Sequence, residues 1–298
     1  MNVTAFAAAR RTVTTPFGEI AYVERGEGPA ALFVHGVILN GYLWHDVIEA
    51  LAPHRRCIAL DLMGHGHTRV ADDQDLSFAA QADMLAAFVD ALGLDQVDLI
   101  GNDSGGGIAQ IFAAKHPKRI RSFVLTNCDT HDNLFPPAVV PLFDIIRAGK
   151  LLDVFKPMLA NPDAMRNGFG SSLEHPDQLS DETILAFLEP LVANEEAGRT
   201  CERWIKALDV DDMLSIEPQL RELRAPTLVL WGTADVFFDI KWAYWLRDTV
   251  PGVVDVIEVP GAKLFFPLER PQFLADKIGE FWSAHAATPA NATAGAAQ

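Results

Sequence analysis

Two rhythms of apolar residues alternate along this chain. Short, nearly continuous runs rich in β-branched residues recur, and segments with apolar positions at helical spacing separate them. The runs lie at 30–36 (AALFVHG), 55–64 (RRCIALDLMG), 96–102 (QVDLIGN), 120–127 (IRSFVLTN), 226–232 (PTLVLWG) and 253–261 (VVDVIEVPG). Strands this continuous in apolar character are buried on both faces, which is the condition of a parallel sheet layered between helices. Ahead of them, 11–15 and 19–26 flank Pro16-Phe17-Gly18 and predict an antiparallel hairpin. Helices are predicted at 44–51, 78–92, 108–116 and 271–285. Ile108, Ile111 and Phe112 share one face of the third, which ends before Pro117, and Phe273, Ile278 and Phe281 share one face of the last.

The alternation stops between 134 and 218. That stretch is helical in pattern, rich in Leu, Phe and Met, and holds no convincing strand. A crossover between parallel strands needs only about a dozen residues. The excess predicts a helical lid, 134–218, inserted into an α/β core made of 1–133 and 219–285. The tail, 286–298 (AATPANATAGAAQ), is of low complexity and is expected to be disordered.

Composition narrows the partners. A net charge of −16 argues against nucleic acid and anionic membrane surfaces, leaving a small molecule as the expected partner of a monomer or homodimer. Cys57, Cys128 and Cys201 are odd in number and far apart, so neither a disulfide framework nor a CxxC metal site is expected. The N-terminal arginines follow rather than precede a short apolar stretch, unlike a secretory signal, and no apolar run reaches the ~18 residues of a membrane span. A reducing, cytoplasmic setting is the expectation.

The densest chemistry is GNDSGGG, Gly101–Gly107. A strand enters it and a helix leaves it, the context of a nucleophile elbow, whose tight turn accepts only small residues two before and two after the nucleophile. Asp103 satisfies this with Gly101 and Gly105. Ser104 would put Asn102 at the first small position. The glycines do not form a phosphate loop, since GxxxxGK[ST] is absent. A carboxylate at a helix N-terminus also caps it, which is the structural alternative.

Taken in order, FVHGV (33–37), DLMGHGHT (61–68), GNDSGG (101–106) and LVLWGTAD (228–235) resemble the α/β-hydrolase fold with a mostly parallel eight-stranded sheet. The branch most similar uses an aspartate nucleophile, as in haloalkane dehalogenases and epoxide hydrolases. The resemblance spans residues 11 to about 285. It implies Asp103 as nucleophile, the backbone N–H groups of Ser104 and Val37 as the oxyanion hole, Asp235 as the triad acid, and no cofactor or metal. His35 and His65 fall in loops of structural type. The resemblance also implies a histidine before Phe265, Glu269 and Pro271, and this chain has Leu264 there, beside Lys263.

Among the other histidines, His131 lies just past the strand after the elbow helix, a strand end that in some members of the resembled family supplies the triad acid. It is the candidate for a displaced base, and the alternative is a polar residue at the lid hinge. Asp129, Asp132 and Asp239 are lesser acidic candidates. Halide-binding features also depart from the resemblance. Ser104 stands where dehalogenases place Trp, and Val37 where they often place Asn, with Asn40 nearby. Trp204 is the lid's one tryptophan, and Tyr22, Tyr42 and Tyr244 all fall outside it. Three functions follow. One is a hydrolase acting on a small apolar halide, epoxide or ester through Asp103. The second is a non-hydrolytic enzyme using Asp103 as acid or base, and the third a catalytically silent ligand-binding protein.

Overall fold

The computed structural model describes residues 1–285; the tail expected to be disordered, 286–298, lies outside the described residues. The strands are β1 (Arg10–Thr15), β2 (Gly18–Arg25), β3 (Ala30–Val34), β4 (Arg56–Leu60), β5 (Val97–Asp103), β6 (Ile120–Cys128), β7 (Thr227–Gly232) and β8 (Val253–Val259). They form one sheet in the order β1-β2-β4-β3-β5-β6-β7-β8. β2 pairs antiparallel with β1 and with β4, and every other pairing is parallel.

Before and within the first half of the sheet come α1 (Val3–Ala8), α2 (His45–Leu51), α3 (Phe78–Ala91) and α4 (Ser104–Lys115). Between β6 and β7 lie α5 (Val140–Arg147), α6 (Leu151–Leu159), α7 (Pro162–Phe169), α8 (Asp181–Val192), α9 (Glu195–Lys206), α10 (Val210–Leu214) and α11 (Glu217–Leu220), with no strand among them. The chain continues through α12 (Lys241–Thr249), α13 (Phe266–Glu269) and α14 (Pro271–His285).

Burial explains the apolar runs. Every residue of β3, β5 and β7 is buried, and in β6 only Arg121 is not. Each buried Val, Leu, Ile or Phe stabilises the fold by about 1.5–3 kcal/mol. β8 reads as apolar but sits at the sheet edge, paired only with β7, and Val254 stays 47% exposed. Its Asp255 and Glu258 keep that edge polar, which discourages pairing with another chain.

The elbow helix begins at Ser104, four residues earlier than the periodicity of Ile108, Ile111 and Phe112 predicts. Its first turn is glycine because the sheet presses on it, so no apolar stripe marks it. A Cβ on Gly105 would sit 2.2 Å from the His35 carbonyl oxygen, and one on Gly106 would sit 2.3 Å from Cys128 Cβ.

Topology places the site. β3, β5, β6, β7 and β8 are parallel neighbours, so the loops after their carboxyl ends gather along one rim of the sheet. The helices between β6 and β7 attach to the core by specific contacts. Asn40 Nδ2 donates to the Ala186 carbonyl of α8 at 2.8 Å. Trp204 of α9 is fully buried, edge-on to His65 with ring centroids 4.9 Å apart and tilted against Phe78.

Candidate active site

Asp103 closes β5 and caps α4 in one residue, at φ 56° and ψ −137°. That is left-handed territory, uncommon for a residue with a Cβ and held only where neighbours dictate it. Here the strand passes straight into the helix, and the backbone around the turn is packed to contact. A Cβ on Gly101 would sit 2.7 Å from Gly106 Cα, and one on Gly36 would sit 2.2 Å from Asp103 Cβ. The small residues expected on both sides of Asp103 are therefore required by close approach.

Asp103 is 4% exposed. Ser104 N–H donates to Oδ1 at 2.8 Å, and the Ser104 hydroxyl lies 3.4 Å from the same oxygen. Burial pushes its pKa up to about 7; the Ser104 N–H pulls it down, and the nearby Asp235 raises it.

Above it opens a cavity of about 320 Å³. Val37, Ile38, Ser104, Asp129, Leu264 and Phe265 line it from the core. Phe143, Phe155, Met165 and Phe169 close it from the helical segment, and Phe237 and Phe238 come from the loop after β7. The polar groups facing this apolar space are few: the carboxyls of Asp103 and Asp129, and the hydroxyls of Ser104, Ser171 and Ser172. Among the described residues no histidine, lysine or arginine lines it.

Several residues singled out in the sequence meet here. Asp103, Ser104, Val37 and Leu264 all border the cavity. Leu264 is buried, and Asn102 Nδ2 of the elbow donates to its carbonyl oxygen at 3.0 Å. The position where the resemblance implies a histidine thus lines the same cavity as Asp103, and it carries an isobutyl group. Asp235 stands behind this wall. Its carboxyl accepts from Phe237 N–H and from Asn127 Nδ2, each at 2.7 Å. Burial pushes its pKa up to about 6, against hydrogen bonds from Phe237, Phe238 and Asn127 and the charge of Lys263.

Other expectations are not met. His131 lies outside the cavity wall, tilted against Trp245, with Nε2 3.2 Å from Glu217 and Nδ1 3.5 Å from Asp132. A base displaced to His131 has no support in this geometry, because the β6 end turns it toward α11 and α12. Asn40 and Trp204 are likewise away from the wall and join the helical segment to the core. His35 lies beneath it. Its Nε2 accepts from Leu62 N–H at 3.0 Å, so Nδ1 carries the proton toward the Gly36 carbonyl at 2.8 Å. Burial pushes its pKa down to about 4, a neutral ring that braces the loop. Asp239 caps the start of α12 through Lys241 N–H, and Lys263 Nζ donates to the Gly170 carbonyl.

One residue gains weight. Asp129, a lesser candidate in the sequence, is 2% exposed and borders the cavity beside Asp103. Its N–H donates to the Asp103 carbonyl at 3.3 Å, because β5 and β6 are paired at Asp103 and Cys128. Burial pushes its carboxyl well above the usual carboxylate range, the charge of Asp103 adds to the rise, and the Ser104 hydroxyl opposes it. Its place one residue past the strand that pairs with the elbow was the available signal. The aromatic wall of 143–169 had none beyond its general apolarity.

This arrangement can be set beside known proteins. The family described as alpha/beta hydrolase fold matches residues 29–271. Haloalkane dehalogenase 2 of Mycobacterium tuberculosis is 30% identical over 280 residues, covering 88% of this chain and 91% of that protein. The 2-hydroxymuconate semialdehyde hydrolase of a Pseudomonas species is 30% identical over 243 residues, 76% of this chain and 77% of that one. The solved structure of haloalkane dehalogenase DbeA from Bradyrhizobium elkani superposes with a TM-score of 0.78 at 23% identity, covering 94% of this chain and 99% of that one. The strand order and these matches agree: the chain belongs to the α/β-hydrolase fold family, with a haloalkane dehalogenase among its relatives.

Proposed function

We propose that this protein is a hydrolase-fold enzyme in which Asp103 attacks an electrophilic carbon of a small apolar halide, epoxide or ester. The single observation that carries the reading is the Asp103 carboxyl itself, held at a strained elbow and opening into an apolar cavity of about 320 Å³. Strain is kept where position matters, and a rigid turn holds the oxygen in line with a bound carbon. The N–H groups of Ser104 and Val37 serve as oxyanion donors for the resulting ester. The helical segment 134–218 acts as the lid that excludes water and supplies the aromatic wall. The names of the relatives support a hydrolytic reaction on a small molecule.

The test is the mass of the intact protein after incubation with alkyl halides, epoxides and esters, alongside product analysis. Turnover or a covalent adduct present in wild type and lost in Asp103→Asn is the expected result. Turnover that survives Asp103→Asn sinks the reading.

A second reading has its own observation. The titratable groups on the cavity wall are carboxyls, and burial pushes Asp103 up to about 7, where a general base works best at neutral pH. Asp103 would then move protons in an elimination or rearrangement without forming an ester. Turnover that depends on Asp103 yet never yields an adduct, even under single-turnover quench, favours it.

A further inference from the structure

A carboxylate nucleophile leaves two tasks open. The leaving group must be stabilised, and the ester must be attacked by activated water. No imidazole, amine or guanidinium lines the cavity among the described residues. The side-chain groups able to exchange a proton there, apart from Asp103, are the Asp129 carboxyl and serine hydroxyls. Asp129 is locked beside the nucleophile by the β5–β6 pairing. Its N–H reaches the Asp103 carbonyl, and its Cβ packs against Gly107, where an added Cβ would stand only 3.0 Å away.

We propose that Asp129 is the catalytic acid, and then the catalytic base, of the reaction that Asp103 begins, and that the substrate is a small apolar cyclic ether rather than an alkyl halide. The proposal rests on the reading of Asp103 as nucleophile. Of the two buried carboxyls on this wall, Asp129 is the one that keeps its proton, through its burial first and the neighbouring Asp103 charge second. In the first half-reaction an Asp103 oxygen bonds to a ring carbon. The carbon–oxygen bond of the ring breaks, its electron pair stays on oxygen, and that oxygen takes the Asp129 proton. The products are a hydroxyalkyl ester and an Asp129 carboxylate.

Esterification removes the charge of Asp103, and with it the repulsion that adds to burial in keeping Asp129 protonated. Asp129 can now remain ionised and accept a proton from water. The hydroxide so formed attacks the ester carbonyl, and the tetrahedral oxyanion faces the Ser104 and Val37 N–H groups. Collapse expels the alkoxide, which takes the proton from Asp129. The new Asp103 carboxylic acid then passes its proton to Asp129, restoring the starting pair. One ether and one water yield one diol. This exchange of acid and base roles is the logic by which paired carboxyls serve double displacement at other centres. A halide needs no proton to leave, and the wall offers neither a cation nor a side-chain N–H to hold one.

The experiment compares wild type, Asp129→Asn and Asp103→Asn with 1,2-epoxyhexane and 1-bromohexane, reading diol or alcohol by chromatography and the adduct by intact mass and peptide mapping. Asp129→Asn is expected to lose epoxide opening by about a hundredfold or more. With bromohexane the same variant still alkylates Asp103 and accumulates the hexyl ester, because that leaving group takes no proton. Wild-type epoxide turnover should follow a bell with pH, and its alkaline limb should vanish in Asp129→Asn. The other titratable groups at this rim are Asp103, Cys128 and Asp235, and the helical segment adds none to the wall.

A merely structural role would lower both reactions together and leave the pH profile unchanged, which overturns the proposal. So does hydrolysis of the hexyl ester at the wild-type rate in Asp129→Asn. If wild type neither turns over nor carries an adduct with either probe, the nucleophile reading fails and this one falls with it. Asp129→Ser, judged by the same readouts, serves if Asp129→Asn does not fold.

Discussion

Strand β5 carries a buried aspartate at each end, and the two live in opposite worlds. Asp98, at the amino end, is 1% exposed and fully partnered. Arg55 Nε and Arg121 Nη2 each reach Oδ2 at 2.8 Å, Arg121 Nε reaches Oδ1 at 2.9 Å, and the Ser122 hydroxyl donates to Oδ1 at 2.7 Å. Trp282 of α14 donates to that hydroxyl, and Arg55 stacks over the Trp282 ring, so the network also seals the last helix to the sheet. Asp103, five positions on, faces a cavity with the Ser104 N–H and hydroxyl as its donors and other carboxyls nearby. A satisfied charge holds a fold together, and an unsatisfied one is a chemical potential kept at the ready.

The first way to break the comparison is chemical. Asp103→Asn should lower turnover by at least about a thousandfold, since a nucleophile cannot be replaced by its neighbours. Rate assays on a substrate found in the panel check this, and retained activity removes Asp103 from its role. Next comes the other end of the strand. Asp98→Asn leaves Arg55 and Arg121 without their carboxylate and should destabilise the fold by about 3 kcal/mol in urea unfolding. A loss well under 1 kcal/mol would mean that the amino-end network is decorative.

The pH dependence separates the two ends further. Burial holds the Asp103 pKa near 7 in the fold, above its ordinary value of 3.8. Between those pH values the folded chain binds more protons than the unfolded one, so stability falls as pH rises. Asp103→Asn removes this penalty. It should match wild type below pH 4 and gain up to about 4 kcal/mol above pH 7. Thermal melts across that range test it, and a gain equal at both extremes refutes the assignment.

A smaller effect is expected at the far wall. Leu264→His places an imidazole on the cavity wall that Asp103 also lines. Burying that polar ring should lower stability by roughly 1–3 kcal/mol while raising the rate at which any Asp103 ester is hydrolysed. Unchanged ester lifetime would show that residue 264 is not placed for catalysis. The smallest effect belongs to His131→Asn, which keeps a side chain tolerant of its φ of 54°. Loss of its partly exposed contact with Glu217 should shift stability by less than about 1 kcal/mol and leave turnover intact.

These contrasts show where the sequence was readable. The two aspartates of β5 differ by one local fact: glycines surround Asp103 and none adjoins Asp98. That pattern marked the elbow, because a strained turn restricts the residues beside it in sequence. Asp129 was marked only by its place one residue past β6, the neighbour of β5, and by nothing in the residues around it, since its importance comes from the strand beside it. His131 invited attention for the same reason that it misled. It lies within two residues of Asp129 along the chain, but the backbone turns to a positive φ there and carries the ring toward Trp242 and Trp245.

Apolar periodicity and glycine placement were enough to specify the eight strands, the helical excess between β6 and β7, and the residue at the elbow. Those are properties of neighbours along the chain, set by backbone sterics and by which faces must leave water. Which carboxyls share a cavity, which histidine is inert, and what residue 264 confronts depend on loops from five parallel strands converging on one rim. Contacts between loops so far apart in the chain leave no periodic trace, and only the folded sheet brings them within reach of Asp103.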